Sequence, residues 1–410
     1  MIPEKFCIVP WIHLNPEPSG KVKPCCAYHG PDSDYSSVKD FSLEEIWNND
    51  LQKDLRVQFL KNETPKGCAT CVNCEDSGGH SLRKAMNDRF KKHIDPAIAN
   101  TLPDGQYNNF NLVYWDFRFS NICNFKCRMC GHGCSSSWYE ESYSKPKFPI
   151  WNYQRPPKIM DKEYYGRDLM PYVDQFIDVV EEIYFAGGEP LMMSEHYAIL
   201  DKLIEKNKFD VFLRYNTNLS TLKYKSYDLI DIWKKFDKVQ LFLSLDGFGA
   251  NAEYSRSGTD WPRVESNLKK INEEEIPILI SSTVNIFNVF HFPDFIDHLI
   301  SLNVSLSRLL VSVLIFPNYY QISVLSSELK LQLKEKYARH LDTLSEENKK
   351  IISQHYSRIY YYLDMPSSNA VEARFVKEIL KVDDQRNECL TDVVPEYYNW
   401  FNKLRIKHKL

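Results

Sequence analysis

The chain has 410 residues, enough to bury a large core and to hold more than one domain. Its composition, 43% hydrophobic and 26% charged, is that of a globular protein rather than a disordered or membrane-embedded one. A formal net charge of −4 gives no ground for nucleic acid or a membrane as the main partner, and neither is expected. No apolar run approaches the ~20 residues that span a bilayer. The opening "MIPEKFCIVPW" lacks a basic stretch followed by a long apolar one, so no signal peptide is read and the expected location is cytoplasmic. Ten of the eleven cysteines lie before residue 135. In a reducing compartment, clustered cysteines more often bind metal than form disulfides.

In chain order, residues 1–104 read as a small α+β domain. It starts with a hairpin-like "IVPWIHLNPEPSGKVKPCC", with Pro and Gly in the turn. A helix is expected from Leu43 to Leu60, with Leu43, Ile46, Trp47, Leu51, Leu55 and Phe59 on one face. Residues 105–320 alternate. The expected strands are "NLVYWDFRFS", "EIYFAGG", "VFLRYNTN", "VQLFLSLDG", "ILISSTVNIF" and "RLLVSVLIF", with helices such as "EHYAILDKLIEK" and "FPDFIDHLISL" between them. That is the pattern of right-handed βαβ units around a parallel sheet. Six units are too few for a closed eight-stranded barrel, so an α/β fold with a partial (β/α)6 barrel is expected, its chemistry at the C-terminal ends of the strands. The stretch 143–158 has four prolines and reads as a long loop. Residues 321–410 read as a helical C-terminal extension.

Directly after the first strand stands "NICNFKCRMCGHGC". Cys123, Cys127 and Cys130 offer three thiolates on one loop, which would leave one iron of a 4Fe–4S cubane open. A structural zinc site instead asks for four ligands, and Cys134 or His132 could supply the fourth. The spacing C-x3-C-x2-C at this place resembles the radical S-adenosylmethionine (SAM) superfamily. The second strand ends in Gly187, Gly188 and Glu189, matching that family's Gly-Gly-Glu stretch, where missing Cβ atoms let backbone approach the methionine amino group. By the same resemblance Ser244 and Asp246 in "SLDG" bond the ribose, and Asn216 and Asn218 face the mouth. Arg256 pairs with the SAM carboxylate, and Thr283 or Asn285 ends the fifth strand beside them. For each of these alone the alternative is ordinary strand-end hydrogen bonding. Met129 stands where many members carry an aromatic.

The resemblance covers roughly residues 108–320. It implies a 4Fe–4S cluster on Cys123, Cys127 and Cys130 that chelates SAM and cleaves it reductively. The 5′-deoxyadenosyl radical then takes hydrogen from an unactivated C–H bond. It also implies an electron donor of the flavodoxin or ferredoxin type.

A second group comprises Cys7, Cys25, Cys26, Cys68, Cys71 and Cys74. Twelve residues separate Cys7 from Gly20 and four separate Gly20 from Cys25, which matches the opening of the auxiliary-cluster modules called SPASM and twitch. The resemblance implies one auxiliary 4Fe–4S cluster, two clusters in all, held by Cys7, Cys25, Cys68 and Cys71. Cys26 and Cys74 are alternates, and zinc would also accept four such thiolates. Such a module usually follows the barrel; here it precedes it. Relatives modify ribosomally made peptides or dehydrogenate small molecules, so the expected substrate is a peptide or a small molecule, with the auxiliary cluster as electron acceptor or substrate anchor. A different class of function, a zinc-stabilised binding or scaffold protein on a barrel that has lost its chemistry, is the alternative. Cys389 reads as a buried or idle thiol, or else as a hydrogen donor to a substrate radical.

Overall fold

A computed structural model describes residues 2–30, 36–76, 79–143 and 155–409. Of the loop expected over 143–158, residues 144–154 lie outside the described residues. Six strands form one parallel sheet: β1 (Tyr114–Trp115), β2 (Glu182–Phe185), β3 (Phe212–Thr217), β4 (Val239–Leu243), β5 (Ile278–Val284) and β6 (Leu309–Val313). Their spatial order is β6-β5-β4-β3-β2-β1, each strand beside its sequence neighbour, as βαβ units require. Helices Ser194–Glu205, Leu229–Trp233, Trp261–Glu273 and Phe292–Ser301 fill the crossovers. The fold is α/β, a partial barrel.

Side chains alternate across the sheet as the pleat dictates. On one face Tyr215 meets Trp233 and Phe185 meets His196, both from crossover helices. On the other face Tyr184, Arg214 and Phe242 contact one another rather than a helix. Asn216, Ser244 and Thr283 continue this second, partly open face toward the C-terminal ends of the strands.

The N-terminal region lies along β1, at the free edge of the sheet. The Val113 and Tyr114 amides donate to the Ile12 carbonyl at 3.2 and 3.3 Å, and the Arg118 amide to that of Pro16 at 3.0 Å. Asn15 Nδ2 donates to the Asp116 carbonyl at 2.7 Å, and His13 Nδ1 bonds the Tyr114 carbonyl at 3.1 Å. An edge that would otherwise present unpaired amides is thereby covered. The hairpin is present as Asn15–Pro16 against Val22–Lys23.

The helix expected from Leu43 to Leu60 is in fact two, Leu43–Trp47 and Asp50–Leu60. Asn49 is extended and its side chain accepts from the Gln52 amide, so it starts a second helix where continuous apolar spacing suggested one. After the barrel come helices Ser327–Thr343, Glu346–Leu363, Asn369–Arg386 and Tyr398–His408. Tyr337 and Tyr397 hydroxyls anchor them to the Val289 and Ile286 carbonyls. One continuous hydrophobic core runs from Phe6 to Leu404. Among the described residues no helix is long and apolar enough to cross a membrane.

Glu182, 1% exposed at the start of β2, receives Arg214 from β3 at 3.0 Å and Arg89 from the N-terminal region at 2.8 Å. Glu182→Gln leaves two guanidinium groups sharing no counter-charge. It is expected to destabilise the fold by about 3 kcal/mol, read as a lower denaturation midpoint at unchanged slope. A shift worth less than about 0.5 kcal/mol would refute this role.

Candidate active site and metal centres

The loop after β1 closes on itself. Asn121 Nδ2 donates to the His132 carbonyl at 2.8 Å, the Ser136 amide to the Asn121 carbonyl at 2.7 Å, and Ser135 Oγ to the Phe125 carbonyl at 2.6 Å. Cys123, Cys127 and Cys130 stand on this ring, with the Cys130 amide bonded to the Cys127 carbonyl at 2.9 Å. Cys134 follows on the next turn, its amide donating to the Gly131 carbonyl at 3.0 Å. Both ring nitrogens of His132 are engaged, Nε2 with the Lys158 carbonyl at 3.0 Å and Nδ1 with the Tyr143 hydroxyl at 3.4 Å. Burial pushes the Cys123 thiol up to about 12. A metal centre would reverse that preference, since ligating thiols bind deprotonated.

Two glycines press the ends of neighbouring elements onto this loop. A Cβ on Gly188 would lie 2.1 Å from the Ile122 carbonyl oxygen. A Cβ on Gly258, where φ is +102°, would lie 2.7 Å from that of Asn124. The Glu189 amide completes the first contact by donating to Ile122 at 2.7 Å. The glycine read from sequence as room for a ligand is therefore also room for the cysteine loop itself.

The Glu189 carboxylate is buried and accepts from the Asn218 amide at 2.7 Å, Thr217 Oγ1 at 2.8 Å and the Leu191 amide at 3.2 Å. Burial pushes its pKa up to about 7, against the pull of these three bonds. Asn218 reaches on to Asn124 of the cysteine loop at 2.9 Å.

On the far side, Arg256–Ser257 pairs antiparallel with Lys126–Cys127. Arg256 Nη1 lies 3.8 Å from Cys127 Sγ, and its Nε donates to Asp246 Oδ2 at 2.7 Å. Asp246 Oδ1 accepts from the Thr283 amide at 2.8 Å. Both oxygens of a side chain read from sequence as a ribose contact are thus engaged within the protein, one of them orienting Arg256. Asn285 is fully buried and folds back on the Thr283 carbonyl and the Phe287 amide. Cys389 is exposed, beside Thr391, in a surface pocket with Ser257 and Glu388.

In the N-terminal region Cys7, Cys25, Cys68 and Cys71 line one cavity, with Val9, Tyr28 and Phe59 as apolar walls and Arg83 at its side. Cys26 is not part of that lining and lies where the charges of Asp116 and Arg118 act on it. Cys74 is also outside it, packed against Gly79. Burial is the main cause raising the Cys7, Cys25 and Cys68 thiols, and the Arg83 charge opposes it at Cys7 and Cys68. Arg83 was not singled out in the sequence; it is fixed by Glu75 and by the Glu4 and Phe6 carbonyls at 2.8 and 2.9 Å. Four thiols around an apolar space beside a cation fit an anionic thiolate-ligated cluster. Among the described residues no three His, Cys, Asp or Glu side chains converge closely enough to hold a single metal ion.

The glycine contacts generate a paired test. Gly188→Ala should lose the iron of the three-cysteine site, about four atoms per chain, because the Ile122 carbonyl must move. Gly131→Ala in the same loop meets nothing within 4 Å and should keep it. Equal iron content in the two reconstituted variants would show that the close approach is unimportant.

Comparison with known proteins follows the same division. The family model of the radical SAM superfamily matches residues 117–302. That of SPASM, an iron–sulfur cluster-binding domain, matches residues 7–75. No curated protein matches the sequence. Among solved structures, the chain is similar to anSMEcpe with bound AdoMet and the Cp18Cys peptide, at 19% identity and a TM-score of 0.36. That match covers 55% of this chain and spans 56% of the other. SuiB of Streptococcus suis is similar at 15% identity and a TM-score of 0.34, covering 83% of this chain and 69% of the other. Residues 117–302 thus carry the radical SAM domain, and residues 7–75, ahead of it in the chain, an iron–sulfur cluster-binding SPASM domain.

Proposed function

We propose that the protein is a radical SAM enzyme acting on a C–H bond of a peptide or a small molecule. Cys123, Cys127 and Cys130 hold the SAM-binding 4Fe–4S cluster, and Cys7, Cys25, Cys68 and Cys71 hold one auxiliary 4Fe–4S cluster. The observation that carries this reading is the three-way lock on the cysteine loop, which Glu189 and Arg256 join from opposite sides at the open end of the sheet. When bound, the cluster and SAM supply a 5′-deoxyadenosyl radical able to take hydrogen from an unactivated C–H bond.

The chain's own part is positioning. Arg256, held by Asp246, offers a two-pronged cation beside Cys127, suited to the SAM carboxylate. Glu189 and the Gly187–Gly188 backbone frame the place of the methionine amino group. Asn216, Ser244 and Thr283, on the partly open face, are the groups available to ribose and substrate. Asn218 supports the loop through Asn124. The auxiliary cysteines belong to the domain packed along β1, the strand that leads to the loop of Cys123. An external flavodoxin- or ferredoxin-type protein would supply the electron.

Anaerobic reconstitution should give about eight irons per chain, from two four-iron clusters. Stoichiometric zinc with little iron would refute the enzyme reading. Cys71→Ala should fall to about four irons yet still release 5′-deoxyadenosine under strong reductant. Arg256→Ala should weaken SAM binding by ~1.5–3 kcal/mol. Unchanged affinity would remove Arg256 from the SAM site.

A further inference from the structure

Residues 126 and 128 flank Cys127, and both are tied to one short segment of the C-terminal extension, Arg128 directly and Lys126 through Glu141. Arg128 is 2% exposed although it sits between two cysteines of the three. Its Nη2 bonds Asp383 Oδ1 at 2.6 Å and also meets the Glu388 carboxylate. Its Nε donates to the Tyr254 carbonyl at 3.1 Å, and its guanidinium lies 3.6 Å from the centre of the Tyr254 ring. The Tyr254 hydroxyl returns to Asp383 at 2.9 Å, and the other Asp383 oxygen takes the Leu390 amide at 2.9 Å.

On the other side of Cys127, Lys126 pairs with Glu141, which Arg386 grips through Nε and Nη2 at 3.1 and 2.9 Å. Arg386 lies over Trp138, whose Nε1 donates to the Cys127 carbonyl at 3.1 Å. Three cations and three carboxylates therefore balance, all within or touching the wall behind the cluster loop.

A buried ionic network is a poor way merely to glue a helix down, because apolar packing of similar volume is as stable or more so. What it provides is a fixed register between the groups it joins. We infer that the C-terminal extension is part of the cluster site, with Arg128 a positioning residue. Held by Asp383 and Glu388, it sets the backbone between Cys127 and Cys130, and the charges behind it tune the cluster. The inference rests on the function proposed above, and goes beyond it by assigning that role to residues more than 250 positions downstream of the loop.

The holoprotein tests this through iron and potential rather than turnover. Arg128→Met and Asp383→Asn should lose iron from the three-cysteine site to a chelator ~10–100-fold faster than wild type, as expected for removal of an outer partner. The auxiliary iron should be retained in both. Asp383→Asn removes a negative charge and should also raise the midpoint potential of that cluster, and Arg128→Lys should recover part of the retention. If Arg128→Met fails to fold, Asp383→Asn and Glu388→Gln carry the comparison. Wild-type iron-loss rates and an unmoved potential in the folded variants would overturn the inference. A wild type that binds no iron would instead overturn the function on which it rests.

Discussion

The rest of the site depends on how closely other backbone can approach the cysteine loop. The carbonyls of Ile122 and Asn124 are met by Gly188 and Gly258 at distances no side chain would permit. Those two contacts decide where β2 ends, where the Arg256 segment pairs, and so where Glu189 and Arg256 stand. A loop of three thiols has little internal regular structure with which to hold itself. Its geometry is imposed by neighbours whose own positions are set by a packed parallel sheet, which places loop chemistry on a rigid frame.

The N-terminal domain extends that frame instead of standing apart from it. Its residues 12–16 supply hydrogen-bond partners to the edge of β1, and Arg89 crosses to Glu182 at the start of β2. The core is continuous across the junction. The module here precedes the barrel in the chain and lies beside its first strand. Cys26, adjacent to a cavity-lining thiol, instead lies within reach of the charges of Asp116 and Arg118, just after β1.

The sequence showed the barrel clearly, since each strand of the sheet combines β-rich residues with a helix of fitting length. Motif order along the chain then placed the thiols, Gly-Gly-Glu and Arg256 at the same end. Four features were hidden for different physical reasons. The break at Asn49 was masked because apolar spacing continues across it, although an Asn-Asn-Asp run offered a cap. The choice between Cys25 and Cys26 depends on a turn's dihedral angles, to which spacing is blind. The engagement of Asp246 with Arg256 needed the two strand ends in register, and the partners of Arg128 and Arg83 needed the tertiary fold.

The tether of Arg128 to Asp383 spans 255 positions, and that of Pro16 to Arg118 about one hundred. Contacts so distant in sequence form late, after loop closure has been bought with much local structure already in place. During synthesis the N-terminal thiols emerge first but lack the strand edge that orders the segment between them. The second thiol loop emerges next and lacks its ionic anchor until Asp383 and Glu388 have followed it. The N-terminal thiol cavity therefore waits only for β1, whereas the loop of Cys123, Cys127 and Cys130 waits for residues more than 250 positions further on, so the two sets of thiols reach their final settings at different stages of folding.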